Sequence, residues 1–237
     1  GYLRPFTFDE EQSIGVNFPA NPSIRGVLCR YDRYLGEPFI GAVVPNVVRA
    51  IDINRTGCLK LGINYVMSIK AVDFARQLLP EAGAALLLDD RPDKSLVDRR
   101  ITEWDSSCCL FGLRDGTIIK IPESNLILPS VTITGICAIL KQMKVKIDER
   151  DMTYGELIDR VKSKEMVVIC SVGTAGILNR AQKLLLVDNN NETIAMHTAD
   201  ESHELYQKLG EAKAFYWDIY KERVPVPKGL KLSKFEV

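Results

Sequence analysis

Four short stretches of this 237-residue chain hold side chains that could do chemistry together. In residues 58–77, "CLKLGINYVMSIKAVDFARQ", one amine, Lys60, stands just ahead of Gly62, Asn64 and Tyr65. An amine that is desolvated or placed near another cation becomes a nucleophile and can form a Schiff base with a carbonyl. In "ITEWDSSCCLF" (101–111), Glu103 follows a strand-like run and precedes small residues. A carboxylate held against a pyridine nitrogen keeps that nitrogen protonated and makes the ring an electron sink. "LPSVT" (128–132) and "SVGTAG" (171–176) each offer a turn, small side chains and a hydroxyl. Val131-Thr132 falls at a helix start, where free N–H groups and the helix dipole attract phosphate. Gly173 allows a ligand close to the backbone. Taken singly, each stretch has a plainer reading: a solvated lysine, a strand-end carboxylate, two turns that the fold needs.

The bulk composition narrows the classes. Apolar residues make up 46% of the chain, enough for a real core, and 31 basic side chains balance 31 acidic ones. No net field favours nucleic acid or an anionic membrane. No apolar run reaches the 18 residues needed to span a bilayer, and no signal peptide is evident. Two histidines, His197 and His203, and six cysteines without paired CxxC spacing give no metal site. Cysteines inside apolar runs ("GICAIL", "VVICSV") read as buried free thiols in a reducing, cytoplasmic compartment. The chain opens on Gly1, and "GYLRPFTF" reads like the middle of a strand, so a preceding N-terminal portion is expected.

The elements that must position these residues follow from periodicity. Strands are predicted over 2–9, where Pro5 marks an edge, and over 26–31, 46–54, 84–90, 165–172 and 183–188. Residues 34–45 read as an irregular connection and 91–100 as an exposed charged loop. Asp115-Gly116 between two apolar runs predicts a hairpin. Ile133, Ile136, Cys137, Leu140 and Met143 keep helical spacing, with Thr132 near the N-cap. Thr153 and Glu156 spell a capping box for a second helix. Helices are also predicted over 65–79 and 200–222, the latter stopped by "VPVP". The pattern describes a mixed α/β (α+β) domain with a large, mostly antiparallel sheet and a few helices.

In chain order, "KLGINY", "LLLD", "EWDSSCCLF", "LPSVT" and "SVGTA" resemble the large domain of class IV (fold type IV) pyridoxal-phosphate aminotransferases. The Gly-x-Asn-Tyr after the lysine is most similar to the branched-chain aminotransferases. "YLRP" resembles that family's Tyr-x-Arg-Pro segment and "YDRYLG" its interdomain loop, and the likeness runs from residue 2 to about 188. The resemblance implies a large domain built as a pseudo-barrel with flanking helices over 37–237, with 1–36 as the end of a small domain and its linker. It implies pyridoxal 5′-phosphate as cofactor and Lys60 as the Schiff-base lysine that shuttles a proton between Cα and C4′. Tyr65 would bond the 3′ oxygen and Glu103 the pyridine nitrogen. Val131, Thr132, Gly173 and Thr174 would surround the phosphate. Arg4, Tyr34, Thr174 and Ala175 would lie on the substrate side.

The activity implied is transamination of a branched-chain or similar hydrophobic amino acid with 2-oxoglutarate, in a homodimer. Alternatives on the same fold are a lyase of the aminodeoxychorismate type and a D-amino-acid aminotransferase. A third is a catalytically impaired relative that serves as a binding module. Departures from the family pattern set their own expectations. Trp104 and Cys108 replace a small residue and an asparagine, so a pocket crowded or remodelled beside Glu103 is expected. "LPS" stands for the usual "LPG", and residues 91–100 lengthen the spacing from Lys60 to Glu103.

Overall fold

The β-branched and leucine-rich runs of the sequence assemble into two sheets. The computed structural model describes residues 1–11, 14, 18–30, 38–91 and 93–230, and divides the chain into two compact units, Gly1–Tyr34 and Leu35–Val237. The first unit holds an antiparallel pair, β1 (Tyr2–Asp9) and β2 (Pro22–Cys29). β2 begins four residues earlier than the predicted 26–31. Pro5 is tolerated because a two-stranded ribbon consists only of edges.

The second unit contains β3 (Phe39–Val43), β4 (Ala84–Leu88), β5 (Ile101–Trp104), β6 (Cys108–Leu113) and β7 (Thr117–Lys120), followed by β8 (Lys146–Glu149), β9 (Met166–Gly173), β10 (Ile177–Val187) and β11 (Thr193–Thr198). They form one nine-stranded sheet in the order β5-β4-β3-β10-β9-β6-β7-β8, with β11 on β10. β3 runs parallel to β10 and β4, and β7 parallel to β8; the other pairs are antiparallel. β5 ends this order, yet only residues 105–107 carry the chain from it to β6, and Trp104 N–H donates to Ser107 O at 2.9 Å. So short a link between an end strand and the sixth strand requires a sheet that curls back on itself, as a half-barrel does.

Four helices cover the curl: α1 (Gly62–Leu78), α2 (Val131–Gln142), α3 (Tyr154–Lys162) and α4 (Glu204–Tyr220). β4 explains its own sequence. Ala84, Leu86 and Leu88 enter one core with Trp104, Phe111 and Tyr154, while Ala85 and Leu87 enter a second core with Ala71 and Ala75 of α1. A strand buried on both faces reads as a continuous apolar run rather than an alternating one.

Several boundaries differ from the sequence reading. Residues 39–43, expected to be irregular, form β3, because a strand paired on both sides needs no polar alternation. Residues 46–54, expected as a strand, are not one. Ile51 N–H donates to Thr56 Oγ1 at 2.8 Å and Asp52 N–H to Asp90 Oδ2 at 2.7 Å, so turn bonds replace ladder bonds. The charged stretch 91–100 holds a 3₁₀ turn (Leu96–Asp98), and its Arg99 is buried against the carbonyls of Asp89 and Pro45. Thr132 lies in the first turn of α2, near its cap as expected, and the cap itself is Ser130, whose hydroxyl accepts from Ile133 N–H at 3.4 Å. Thr153 caps α3 as expected, with Glu156 N–H donating to Thr153 Oγ1 at 3.1 Å. The Glu156 carboxylate turns instead to Arg150 and Arg160. β8 and β11 had no counterpart in the sequence reading.

His197 on β11 is 3% exposed, and its Nε2 has no hydrogen-bond partner among the described residues. Burial pushes the imidazole down from 6.5 to about 4. The unfolded chain therefore binds a proton near pH 6.5 that the folded chain refuses until about pH 4, and stability is lost as pH falls through that window. Urea denaturation at pH 7 and pH 4 should show wild type losing about 3 kcal/mol more than His197→Leu.

Candidate functional site

Lys60 is presented by a loop that Asn64 holds. From the first turn of α1, Asn64 Nδ2 donates to Thr56 O at 2.8 Å and Leu59 O at 3.1 Å. The same loop packs against the segment ahead of α2: Cys58 N–H donates to Asn125 O at 3.1 Å, and Gly57 lies against the Leu126 backbone. Lys60 is exposed, with its Nζ 5.8 Å from the Tyr65 ring centroid, within cation–π range. The Asn-Tyr pair thus divides two tasks: the asparagine fixes the loop and the tyrosine stands beside the amine.

Glu103 and Trp104 leave β5 on opposite faces, because successive side chains of a strand alternate. Trp104 goes into the core, 1% exposed. It donates from Nε1 to Cys170 O at 3.0 Å and meets the Phe39 ring edge-on at 5.1 Å. The expected crowding of the pocket by Trp104 is therefore corrected: the indole points away from the site. Gly41 makes room for it, since a Cβ there would come within 2.6 Å of the ring.

Glu103 faces the other way, 4% exposed, and pairs with Arg49. Burial is the largest influence and leaves its carboxyl pushed up to about 8, with Arg49, followed by the Leu128 N–H, pulling it back part of the way. Arg49 also donates to Leu126 O at 3.0 Å and Gly57 O at 3.3 Å. Asp105, in the β5–β6 turn, accepts from Ala85 N–H at 2.9 Å, and burial pushes its carboxyl up to about 6. Cys108 donates to Leu128 O at 3.8 Å, and burial pushes its thiol up to about 12. It therefore stays protonated at neutral pH.

The N-terminus of α2 and the β9–β10 turn complete the site. With Ser130 serving Ile133, Val131 and Thr132 contribute the other first-turn N–H groups, which no preceding helical turn can engage. Across from them, Thr174, Ala175 and Gly176 form the turn. Ser107 and Ser171 join their hydroxyls at 2.6 Å beneath it. Ile177, which leaves the turn, has φ +61°. A β-branched residue in the left-handed region costs about 1–2 kcal/mol, and burial of its side chain (4% exposed) holds it there.

Lys60, Tyr65, Glu103, Val131, Gly173 and Thr174 all line one cavity of about 230 Å³, with Arg49, Asn64, Asp105 and Cys108 in its walls. Thr132 and Ala175 neighbour lining residues without lining it themselves. Arg4 lies on β1, in the first unit, and Tyr34 falls outside the described residues. Sequence reasoning missed Arg49 and Asp105. Arg49 sits inside "NVVRAIDIN", whose β-branched residues suggest a strand; a lone guanidinium in an apolar run was the available signal. Among the described residues no cluster of His, Cys, Asp or Glu could hold a metal ion, and no helix is long and apolar enough to cross a membrane.

Gly57 tests the seam between the two loops. A Cβ there would come within 2.2 Å of the Leu126 backbone, which cannot swing aside as a side chain would. Gly57→Ala should destabilise by about 2–3 kcal/mol, read as a lower urea midpoint.

Known proteins carry the same architecture. No protein-family model matches the chain. A Staphylococcus aureus (strain N315) protein named as a probable branched-chain-amino-acid aminotransferase is 27% identical over 201 residues, 81% of this chain and 54% of the relative. The branched-chain-amino-acid transaminase 1 of Bacillus subtilis (strain 168) is 23% identical over 92% of this chain and 62% of its own length. The chain thus spans roughly half to three-fifths of these curated relatives. Among solved structures, a branched-chain amino acid aminotransferase from T.th. with pyridoxamine 5′-phosphate superposes with a TM-score of 0.71 at 21% identity, covering 96% of this chain and 67% of that one. A Legionella pneumophila protein described as a 4-amino-4-deoxychorismate lyase gives 0.67 at 16% identity, covering 92% and 69%. The chain has the fold of the fold type IV pyridoxal-phosphate enzymes, and its sequence is similar to the branched-chain aminotransferases over most of its length.

Proposed function

We propose that this chain is the cofactor-binding part of a pyridoxal-phosphate aminotransferase that acts on a branched-chain or similar hydrophobic amino acid, with 2-oxoglutarate as the second substrate. The observation that carries the reading is the cavity itself: the Lys60 amine, the buried Glu103 carboxylate and the opening turn of a twelve-residue helix meet there. Those groups fit pyridoxal 5′-phosphate in kind. Lys60 supplies an amine for its aldehyde, Glu103 an anion for its ring nitrogen, and α2 with Thr174 supplies donors for its phosphate. When bound, the cofactor contributes a carbonyl that condenses with amines and a ring that withdraws electrons from a substrate carbon.

The rest of the reading concerns what the protein's own groups do. Lys60, exposed at the rim, is free to swing away from the cofactor and to move a proton at the substrate Cα. Tyr65 would hold the ring's 3′ oxygen beside that amine. The Val131 and Thr132 amides and the Thr174 hydroxyl would fix the phosphate end, so that the ring cannot turn while the proton moves. Thr174 and Ala175 amides would face the substrate carboxylate. Residues 1–36 would then be the end of a small domain and its linker, and 37–237 the cofactor-binding domain.

A homodimer and a cytoplasmic setting belong to the same proposal. Exposed Ile63, Val66 and Ile69 on α1 offer apolar surface for a second copy. All six cysteines are free thiols, which suits a reducing compartment. The lyase reading is favoured only by the likeness to the Legionella pneumophila structure. Release of pyruvate, rather than the keto acid of the substrate, would select it.

Incubating the chain with pyridoxal phosphate, reducing with borohydride and mapping peptides by mass spectrometry should give a single adduct on Lys60. Lys60→Ala should lose the adduct and keep its unfolding midpoint, because an exposed lysine contributes little packing. A scatter of adducts over surface lysines would remove the proposal.

A further inference from the structure

Arg49 ties together three segments that line the cavity. Its guanidinium meets Glu103 on β5, Leu126 O ahead of α2 and Gly57 O in the loop that presents Lys60. The Arg49 and Glu103 side chains are 10% and 5% exposed, so neither has much water to turn to. A guanidinium is a permanent cation. Were Glu103 to take a proton, that cation would be left buried without a counter-charge in contact, which is the costly arrangement for such pairs. The Leu128 N–H, like Arg49, favours the anionic form of Glu103.

We propose, resting on the cofactor reading above, that Arg49 is a positioning residue: it holds Glu103 as an anion and aims its carboxylate at the ring nitrogen of the bound cofactor. Drawing charge toward the guanidinium makes the carboxylate a weaker base, so the shared proton stays on the ring nitrogen. The same guanidinium, bonded to both loops, sets the distance between the Lys60 rim and the opening of α2. Ring protonation and phosphate placement thereby depend on one side chain that touches neither group.

The test compares binding of pyridoxamine 5′-phosphate to wild type and Glu103→Gln between pH 7 and 9, by fluorescence titration. This probe carries the ring nitrogen but no aldehyde, so condensation with Lys60 does not enter. Asp105, Cys108 and Cys109 also face Glu103. They are common to both proteins and drop out of the ratio of dissociation constants. Wild type is expected to bind on the order of ten- to a hundredfold tighter at pH 7, as for a hydrogen bond to a charged group, with a ratio that does not rise across the window. A ratio that rises through pH 8 would mean burial outweighs Arg49 and Glu103 is neutral at pH 7, which overturns the proposal.

In an Arg49→Met background the ratio should rise with pH, because the largest influence opposing burial is then gone; a ratio that does not rise there would also overturn it. Should that variant not fold, the wild-type comparison still decides. An adduct on Lys60 together with a rising ratio sinks the role of Arg49 alone. No binding by wild type at any pH sinks the cofactor reading and this inference with it.

Discussion

The three-residue step from β5 to β6 is the constraint on which the rest of this unit depends. An end strand and the sixth strand of one sheet can be joined by residues 105–107 only if the sheet curls until its edge returns to its middle. The curl places Trp104 inside and Glu103 outside, and it carries Asp105, Ser107 and Cys108 to the same mouth. The bonds that hold the step are backbone ones: Trp104 N–H to Ser107 O, and Asp105 N–H to Ala85 O at 2.8 Å. Ser68 of α1 adds its hydroxyl to Asp105 O. The helix that follows Lys60 is thus fastened to the turn that follows Glu103. Amine and carboxylate, 43 residues apart in sequence (103 − 60), are placed by the same few contacts.

What gathers at that mouth is a set of groups that would not remain together without compensation. Two carboxylates, Glu103 and Asp105, share it, and burial raises both. Asp105 is settled by the Ala85 N–H and the turn around it. Glu103 is paired with a guanidinium that arrives from a segment with no regular structure. That irregularity has a physical use. A ladder strand over 46–54 would fix side chains alternately up and down, whereas the coil observed lets Arg49 reach a carboxylate and two carbonyls at once. Unused β-propensity in Val47, Val48, Ile51 and Ile53 is the cost of that placement.

How much of this was legible in the sequence depends on the range of each interaction. α2 and α4 were legible because their apolar residues repeat at helical spacing over three or more turns, and the Asp115-Gly116 hairpin because its chemistry is local. The start of α2 was legible to within two residues, but Ser130 and Thr132 are both competent caps and only the path of the chain after Pro129 selects Ser130. β3 was hidden by Pro38 and Gly41, which read as connection. Yet Gly41 is there because the Trp104 ring lies against it. The inward aim of Trp104 was readable in principle: if Glu103 faces a cavity, strand alternation sends its neighbour into the core.

The candidate site divides along the same line. Lys60, Tyr65, Glu103, Val131, Gly173 and Thr174 were singled out by residue type and order, and the fold gathers them around one cavity. Arg49 was not, because its partner lies 54 residues away and no local pattern encodes that distance. A motif can present an amine or a carboxylate, but the charge state of a buried group is set by whatever the fold brings against it. On the proposed reading Glu103 serves as an anion opposite a ring nitrogen, and burial alone would deny it that form. The compensating charge therefore has to come from tertiary structure, and here it comes on a side chain that also spans the two loops on either side of the cavity.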